Sequence, residues 1–277
     1  MISGKTRLIA HLGYPTEGFK APLVYNPWFD LKGIDAMVIP MGVKAENYVD
    51  TLKVLRTFTN FHGALVTMPH KVTTLALMDR LSPVAMVAGA CNAIRLEPDG
   101  SLQGDMFDGA GFVRGVLGKG QVLEGARVLV SGNGGVGSAI AASLAQAGVA
   151  EMMLFDQYTP SMEGLAKRLS DHYGQLKVQT GSNDPEGYDL IVNATPMGMQ
   201  PGDPLPFDMS RVSAHTFVGE VVMNQQMTPM LQAAQARGCR FQMGTDMLFE
   251  QIPAYLEFFG LGSATPDELR AVSQIKY

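Results

Sequence analysis

The 277-residue sequence has little cysteine: two residues, Cys91 and Cys239, far apart and with no C-x-x-C pair. That excludes a disulfide framework and a zinc knuckle. Charge is also scarce, at 17% Asp, Glu, Lys and Arg, and no basic run occurs. With 26 acidic against 21 basic side chains, a net charge of −5, the chain lacks the field that tracks a phosphate backbone. No nucleic-acid partner is expected. No apolar run approaches the ~20 residues of a membrane span, so no membrane partner is expected either. The stretch M-I-S-G-K-T-R-L-I-A-H-L-G lacks the apolar core of a secretion signal, which points to a cytoplasmic protein.

The sequence is rich in apolar side chains, 46%, and in glycine, 31 residues. Its length exceeds what one core usually organises, so two lobes are expected. Short apolar runs alternate with helical spacings almost throughout, the pattern of strand–helix–strand units, and predict an α/β fold with parallel sheets. In the first lobe the strands are Arg7 to Leu12, Ala36 to Ile39 and Ala64 to Met68. Helices are expected from Pro22 to Gly33, Ala45 to Phe58 and Lys71 to Leu81. Cys91 to Leu96 and Ser101 to Gly104 flank Pro98-Asp99-Gly100, predicting a hairpin at the lobe's edge. A helix from Asp108 to Leu117 leads out, with Gly118-Lys119-Gly120 as the boundary. The second series has strands Arg127 to Ser131, Met152 to Asp156, Leu190 to Ala194 and Phe217 to Val222. Its helices are Gly135 to Ala147, Ser161 to Tyr173, Thr228 to Arg237 and Met243 to Phe259, with one more after Ser263-Ala264-Thr265-Pro266.

Gly132-Asn133-Gly134-Gly135-Val136-Gly137 satisfies G-x-G-x-x-G. Val128-Leu129-Val130 precedes it as a strand and Ser138-Ala139-Ile140 continues it as a small-residue helix, the setting that aims helix-start N–H groups at a pyrophosphate. Asp156, at the end of the next strand, is placed to accept the adenosine ribose hydroxyls and to repel a 2′-phosphate, and Gln157 follows it where an arginine would otherwise serve NADP. The expected cofactor is therefore NAD, with NADP second.

Val66-Thr67-Met68-Pro69-His70-Lys71 stands where a strand ends and a helix starts, and a lysine there can act as a general base. Gly104-Asp105-Met106-Phe107-Asp108-Gly109 places two carboxylates at another strand-to-helix junction. No histidine or third carboxylate stands at ligand spacing, so no metal is expected.

At these residues the chain resembles the shikimate/quinate dehydrogenase family. The family's N-V-T-x-P-x-K is here Leu65 to Lys71, its A-x-N-T is Ala90-Cys91-Asn92-Ala93, and its G-D-N-T-D-G is Gly104 to Gly109. In the second lobe D-L-I-I-N-A-T-x-x-G-M is matched by Asp189 to Met199, T-P-L by Thr228-Pro229-Met230, and G-x-x-M-L-x-x-Q by Gly244 to Gln251. The resemblance implies a substrate-binding lobe, 1–118 completed by the helices of 243–277, and a Rossmann lobe, 119–242, with a cleft between. It implies a catalytic pair, Lys71 and Asp108. It assigns Thr67, Asn92 and Gln251 to substrate hydroxyls, and adds Thr195, Val221 and Gly244 to the cofactor set. The implied reaction is hydride transfer between a nicotinamide cofactor and a cyclic hydroxy compound, by a monomer or homodimer.

The departures cluster at one end of the substrate. The family's G-x-P-x-x-H-S-x-S-P, whose serines grip a carboxylate, is here Gly13 to Pro22, with Phe19 and Ala21 at the two serine positions. A tyrosine position is Met223, and the asparagine of N-V-T is Leu65. Shikimate and quinate are accordingly expected to be poor substrates, although Lys20 offers another carboxylate contact. His70 reads as a surface neighbour of Lys71, and His11, His62, His172 and His215 form no metal or triad spacing. The competing readings are an authentic shikimate/quinate dehydrogenase with a rearranged carboxylate site, a methylenetetrahydrofolate dehydrogenase-like enzyme, and a non-catalytic dinucleotide-binding protein.

Overall fold

In the computed structural model, which describes residues 2–275, the chain parts into two units. The first holds the residues through Phe107 together with those from Ile252, and the second is Asp108–Gln251.

The first unit is built on a six-stranded sheet of β1 (Arg7–Gly13), β2 (Ala36–Gly42), β3 (Phe61–Val66), β4 (Arg80–Leu81), β5 (Ala93–Leu96) and β6 (Leu102–Asp105), in the order β2-β1-β3-β5-β6-β4. β1 is parallel to β2 and β3, whereas β5 is antiparallel to β3 and β6, so the sheet is mixed. Alternate residues of β1 and β3 face opposite sides. Ala10, Leu12, Ala64 and Val66 pack with Tyr48, Leu52 and Leu55 of α2 (Tyr48–Leu55), and burial of each large side chain stabilises the unit by roughly 1.5–3 kcal/mol. His11 and Leu65, register partners, lie on the other face. Gly13 leads from β1 toward α1 (Pro22–Lys32), which stops at Gly33 in the left-handed conformation.

The helix expected over 71–81 is shorter. α3 (Lys71–Leu75) ends early because Asp79 is drawn onto the sheet, its N–H donating to the Leu102 carbonyl (2.9 Å) and its Oδ2 accepting from the Leu102 N–H (2.7 Å). The next two residues form β4, so the β5–β6 hairpin forms as expected but β4 lies outside it. Ser82 then caps α4 (Pro83–Ala88) by accepting from the Ala85 N–H (3.1 Å), a Ser-Pro start that the sequence reading passed over.

The second unit has six strands, β7 (Arg127–Ser131), β8 (Glu151–Phe155), β9 (Lys177–Thr180), β10 (Leu190–Asn193), β11 (Phe217–Glu220) and β12 (Phe241–Gln242). All pairs are parallel and the order is β12-β11-β10-β7-β8-β9. The chain winds outward from β7 in both directions, so the carboxyl ends of β7 and β10 flank the topological switch point where such sheets bind ligands. Around the sheet lie α5 (Asp108–Gly118), α6 (Gly135–Gln146), α7 (Thr159–His172) and α8 (Pro229–Ala236). α9 (Gly244–Phe258) begins here and ends in the first unit, followed by α10 (Pro266–Val272), which opens with a Thr265–Glu268 capping box. β9 and β12 went unread because β9 is a largely exposed edge strand and β12 is two residues long.

Candidate active site

After β7 the chain turns at Gly132, whose φ of +90° disfavours any side chain and whose N–H donates to the Phe155 carbonyl (2.8 Å). A Cβ there would stand 2.6 Å from the Ala194 carbonyl carbon, so the turn is a close approach of two backbones. Gly134 is different. It is exposed, has φ of −72°, and a Cβ on it would meet nothing within 4 Å. It stands at the N-cap of α6, which receives no side-chain cap, so the first N–H groups of the helix are left for an anion. Asn133 between them is buried; its carbonyl accepts from Ser138 Oγ (3.0 Å) and Ser161 Oγ (2.6 Å), and its Oδ1 has no partner among the described residues. These features fit a dinucleotide pyrophosphate on residues 132–137.

Asp156 is engaged by its own chain. One carboxylate oxygen accepts from the Asn133 N–H and the other from the Tyr158 N–H (2.8 Å), which ties the glycine turn to the start of α7, while Gln157 is exposed. At the next strand ends, Thr195 Oγ1 donates to Asn193 Oδ1 (2.6 Å) and accepts from the Met197 N–H (3.1 Å). Gly244 closes against the segment after β11: a Cβ on it would stand 2.1 Å from the Val222 carbonyl oxygen.

One residue that the sequence reading missed organises these turns. Glu220 is fully buried and its Oε1 accepts from Asn193 Nδ2 (3.0 Å) and from the N–H groups of Val221 (2.9 Å) and Val222 (3.1 Å), while Oε2 accepts from Thr228 Oγ1 (2.9 Å). Burial pushes its carboxyl up, and the four hydrogen bonds oppose that shift. The signal was present in Phe217-Val218-Gly219-Glu220-Val221-Val222, a lone acid in an apolar run. Also in this unit, Asp108 is buried as the first residue of α5, Gln251 is buried with its Oε1 unpartnered, and Met223 is half-buried.

In the first unit the candidate residues are joined by backbone. The Thr67 N–H donates to the Leu12 carbonyl (2.8 Å), tying the segment after β3 to β1. Lys71 opens α3, and its carbonyl accepts from the Cys91 N–H (2.8 Å). Asn92 is a hub. Its carbonyl accepts from the Val66 N–H (2.7 Å) and the Tyr255 hydroxyl (3.2 Å), and its Oδ1 accepts from the N–H of Phe107 (2.9 Å), the residue preceding Asp108.

His70 is not the surface neighbour expected. At 1% exposure its ring stacks on Tyr48 (4.0 Å between centroids) and its Nε2 lies 2.7 Å from the Val43 carbonyl, so it anchors the start of α3 beside Lys71. Phe19 stacks on His11 (4.0 Å), and Ala21 is buried at the N-cap of α1, where it supplies no side-chain hydrogen bond. Among the described residues no group of three or more His, Cys, Asp or Glu could hold a metal, and no helix is long and apolar enough to cross a membrane.

A parallel sheet of this strand order, with a glycine turn running into an uncapped helix start, defines the Rossmann class of dinucleotide-binding proteins, here joined to a second α/β unit. The family model described as shikimate dehydrogenase substrate binding domain matches residues 12–94. A shikimate dehydrogenase (NADP(+)) of Rubrobacter xylanophilus is 35% identical over 90% of this chain and 89% of its own length. Its counterpart in Paramagnetospirillum magneticum is 32% identical over 98% and 99%. Among solved structures, the ligand-free 5-ketofructose reductase of Gluconobacter sp. strain CHM43 superposes with a TM-score of 0.87 at 26% identity, covering 98% of both chains. The chain belongs to the shikimate dehydrogenase family and is an NAD(P)-dependent oxidoreductase of the alcohol dehydrogenase type.

The expectation of NAD is corrected by these relatives, whose names specify NADP(+). The physical reason lies in Asp156. Both its oxygens accept N–H groups of its own chain, so the acid is explained by holding the glycine turn and is no vote for a ribose without phosphate.

Proposed function

We propose that the protein oxidises and reduces a neutral, polyhydroxylated cyclic compound with NADP as hydride carrier. The observation that carries this reading is the loss of hydroxyls at the two serine positions, where Phe19 packs on His11 and Ala21 is buried. A carboxylate placed against these groups would forfeit its hydrogen bonds, and an uncompensated buried charge is expensive. The likeness to a reductase named for 5-ketofructose, a keto sugar without a carboxylate, supports the same substrate class.

In this reading residues 132–137 hold the pyrophosphate, with Thr195, Val221 and Gly244 along the rest of the cofactor and Asp156 and Gln157 at its adenosine end. NADP, when bound, supplies the hydride acceptor. Lys71 takes the hydroxyl proton as the alcohol is oxidised, and Asp108 orients the ammonium that results. Thr67, Asn92 and Gln251 bind neighbouring hydroxyls; the unpartnered Oε1 of Gln251 is an acceptor without a donor, as a hydroxyl-binding amide would be before its ligand arrives. Phe19, Ala21 and Met223 line the end where a carboxylate is not welcome.

The second reading is a shikimate or quinate dehydrogenase with a rearranged carboxylate site, favoured by the names of the curated relatives. Steady-state kinetics of the native protein with NADP+ and shikimate, quinate or cis-1,2-cyclohexanediol, and with NADPH and 5-ketofructose, separates the two. Preference for the neutral compounds supports the first reading, and ordinary efficiency with shikimate overturns it.

A further inference from the structure

Among the described residues of the first unit, one buried side-chain nitrogen has no hydrogen-bond partner: Nδ1 of His11. His11 is 8% exposed on β1, and its register partners on the neighbouring strands, Pro40 and Leu65, are apolar. Its ring lies on that of Phe19, with centroids 4.0 Å apart and planes 26° from parallel. A Cβ on Gly13 would stand 2.8 Å from Phe19 Cζ and 2.4 Å from Thr67 Cγ2, so Phe19 and Thr67 converge on one point two residues beyond His11. Burial first, and the nearby Lys71 second, hold the His11 pKa down at about 4. The imidazole is therefore neutral at ordinary pH. A neutral imidazole offers one donor and one acceptor to a hydroxyl or carbonyl, but it cannot balance a carboxylate. A buried polar atom without a partner is costly to keep, and native structures usually resolve it with a ligand or a water.

We propose that His11 is a specificity-determining residue of the substrate site, its Nδ1 sharing a hydrogen bond with an uncharged oxygen of the substrate at the end where Phe19 and Ala21 replace serines. This rests on the substrate reading given above. The pair divides the work: Phe19 removes the hydroxyl that a carboxylate needs, and His11 supplies a polar contact suited to a neutral group. An ordered water on Nδ1 is the competing occupant, and it makes a different prediction for substrate affinity.

The test compares the native protein with His11→Phe, which keeps the volume and the stack but not the hydrogen bond, and with His11→Asn, which restores a polar group. Each is assayed on whichever of shikimate, quinate, cis-1,2-cyclohexanediol and 5-ketofructose the native protein turns over best. His11→Phe should raise KM roughly tenfold or more with kcat changed only a few-fold, and His11→Asn should recover part of the loss. NADP+ affinity, read by fluorescence titration, should be unchanged in both, because the cofactor residues lie in the other unit. A KM in His11→Phe within about twofold of native overturns the proposal. Native preference for shikimate or quinate refutes the substrate reading instead, and the KM comparison on that favoured compound still decides the role of His11.

Discussion

The two units treat their motifs differently. In the second, much of the glycine turn and its surroundings is held by its own chain: Gly132 by a close backbone approach, Asn133 by two serines and Asp156, and Thr195 by Asn193. In the first, the strand ends that carry Thr67 and Lys71 keep their backbone framework through Asn92 and Cys91, but the loop after β1 has exchanged hydroxyls for an aromatic stack and a methyl. Scaffolding of a dinucleotide turn is demanding in geometry and leaves little room for change. A substrate contact requires only that donors and acceptors match the ligand, so it can be rewritten by two or three side chains. In the proposed reading, this difference puts an altered specificity at one end of the substrate.

The proposed Lys71–Asp108 chemistry carries the strongest expected change. Lys71→Ala and Asp108→Asn should each lower turnover by roughly 10²–10⁴-fold, the usual worth of acid–base assistance, with NADP+ affinity little changed. Near-native turnover in both would place the chemistry on other residues. Within the cofactor turn, Gly132→Ala should cost about 2 kcal/mol or more of stability, because a methyl at φ +90° also collides with the Ala194 backbone. Gly134→Ala, with open space about it, should leave the denaturation midpoint nearly unchanged but weaken NADP+ binding. Equal stability losses in the two variants would show that Gly134 is structural and not reserved for the ligand.

The contrast between the units also explains what was legible in the sequence. The strand–turn–helix around Gly132 could be read because local backbone geometry demands particular residues in a fixed order. The break in the helix after Leu75 could not, because it depends on Asp79 pairing with Leu102, a contact between segments distant in sequence. His70 was misjudged for the same reason. Its neighbours in sequence suggest an exposed first turn, whereas Tyr48 and Val43, brought by other elements, bury it. The acid after β8 was misread as a vote for NAD because its role as a clamp on Asn133 and Tyr158 emerges only once the turn is folded.

His11 adds a pH-dependent contribution. In the folded chain its pKa is about 4, against 6.5 for the ordinary side chain, so between those values the unfolded state binds more protons. Stability should therefore fall as pH drops from 6.5 toward 4, by on the order of 1–3 kcal/mol from this group. Urea denaturation at a series of pH values should show a shallower acid slope for His11→Phe. An identical slope would mean that His11 titrates normally in the fold.

In the proposed reading Phe19, Ala21 and Met223, and not the catalytic or cofactor machinery, keep a carboxylate substrate out. The most direct test of that reading is the ratio of kcat/KM for shikimate to kcat/KM for a neutral cyclic diol, measured with NADP+ on the native protein and on Phe19→Ser/Ala21→Ser/Met223→Tyr. The ratio should rise at least about tenfold in the triple variant, since each restored polar contact contributes roughly a kcal/mol or more. A ratio that stays the same, or a native protein that already favours shikimate, would contradict it.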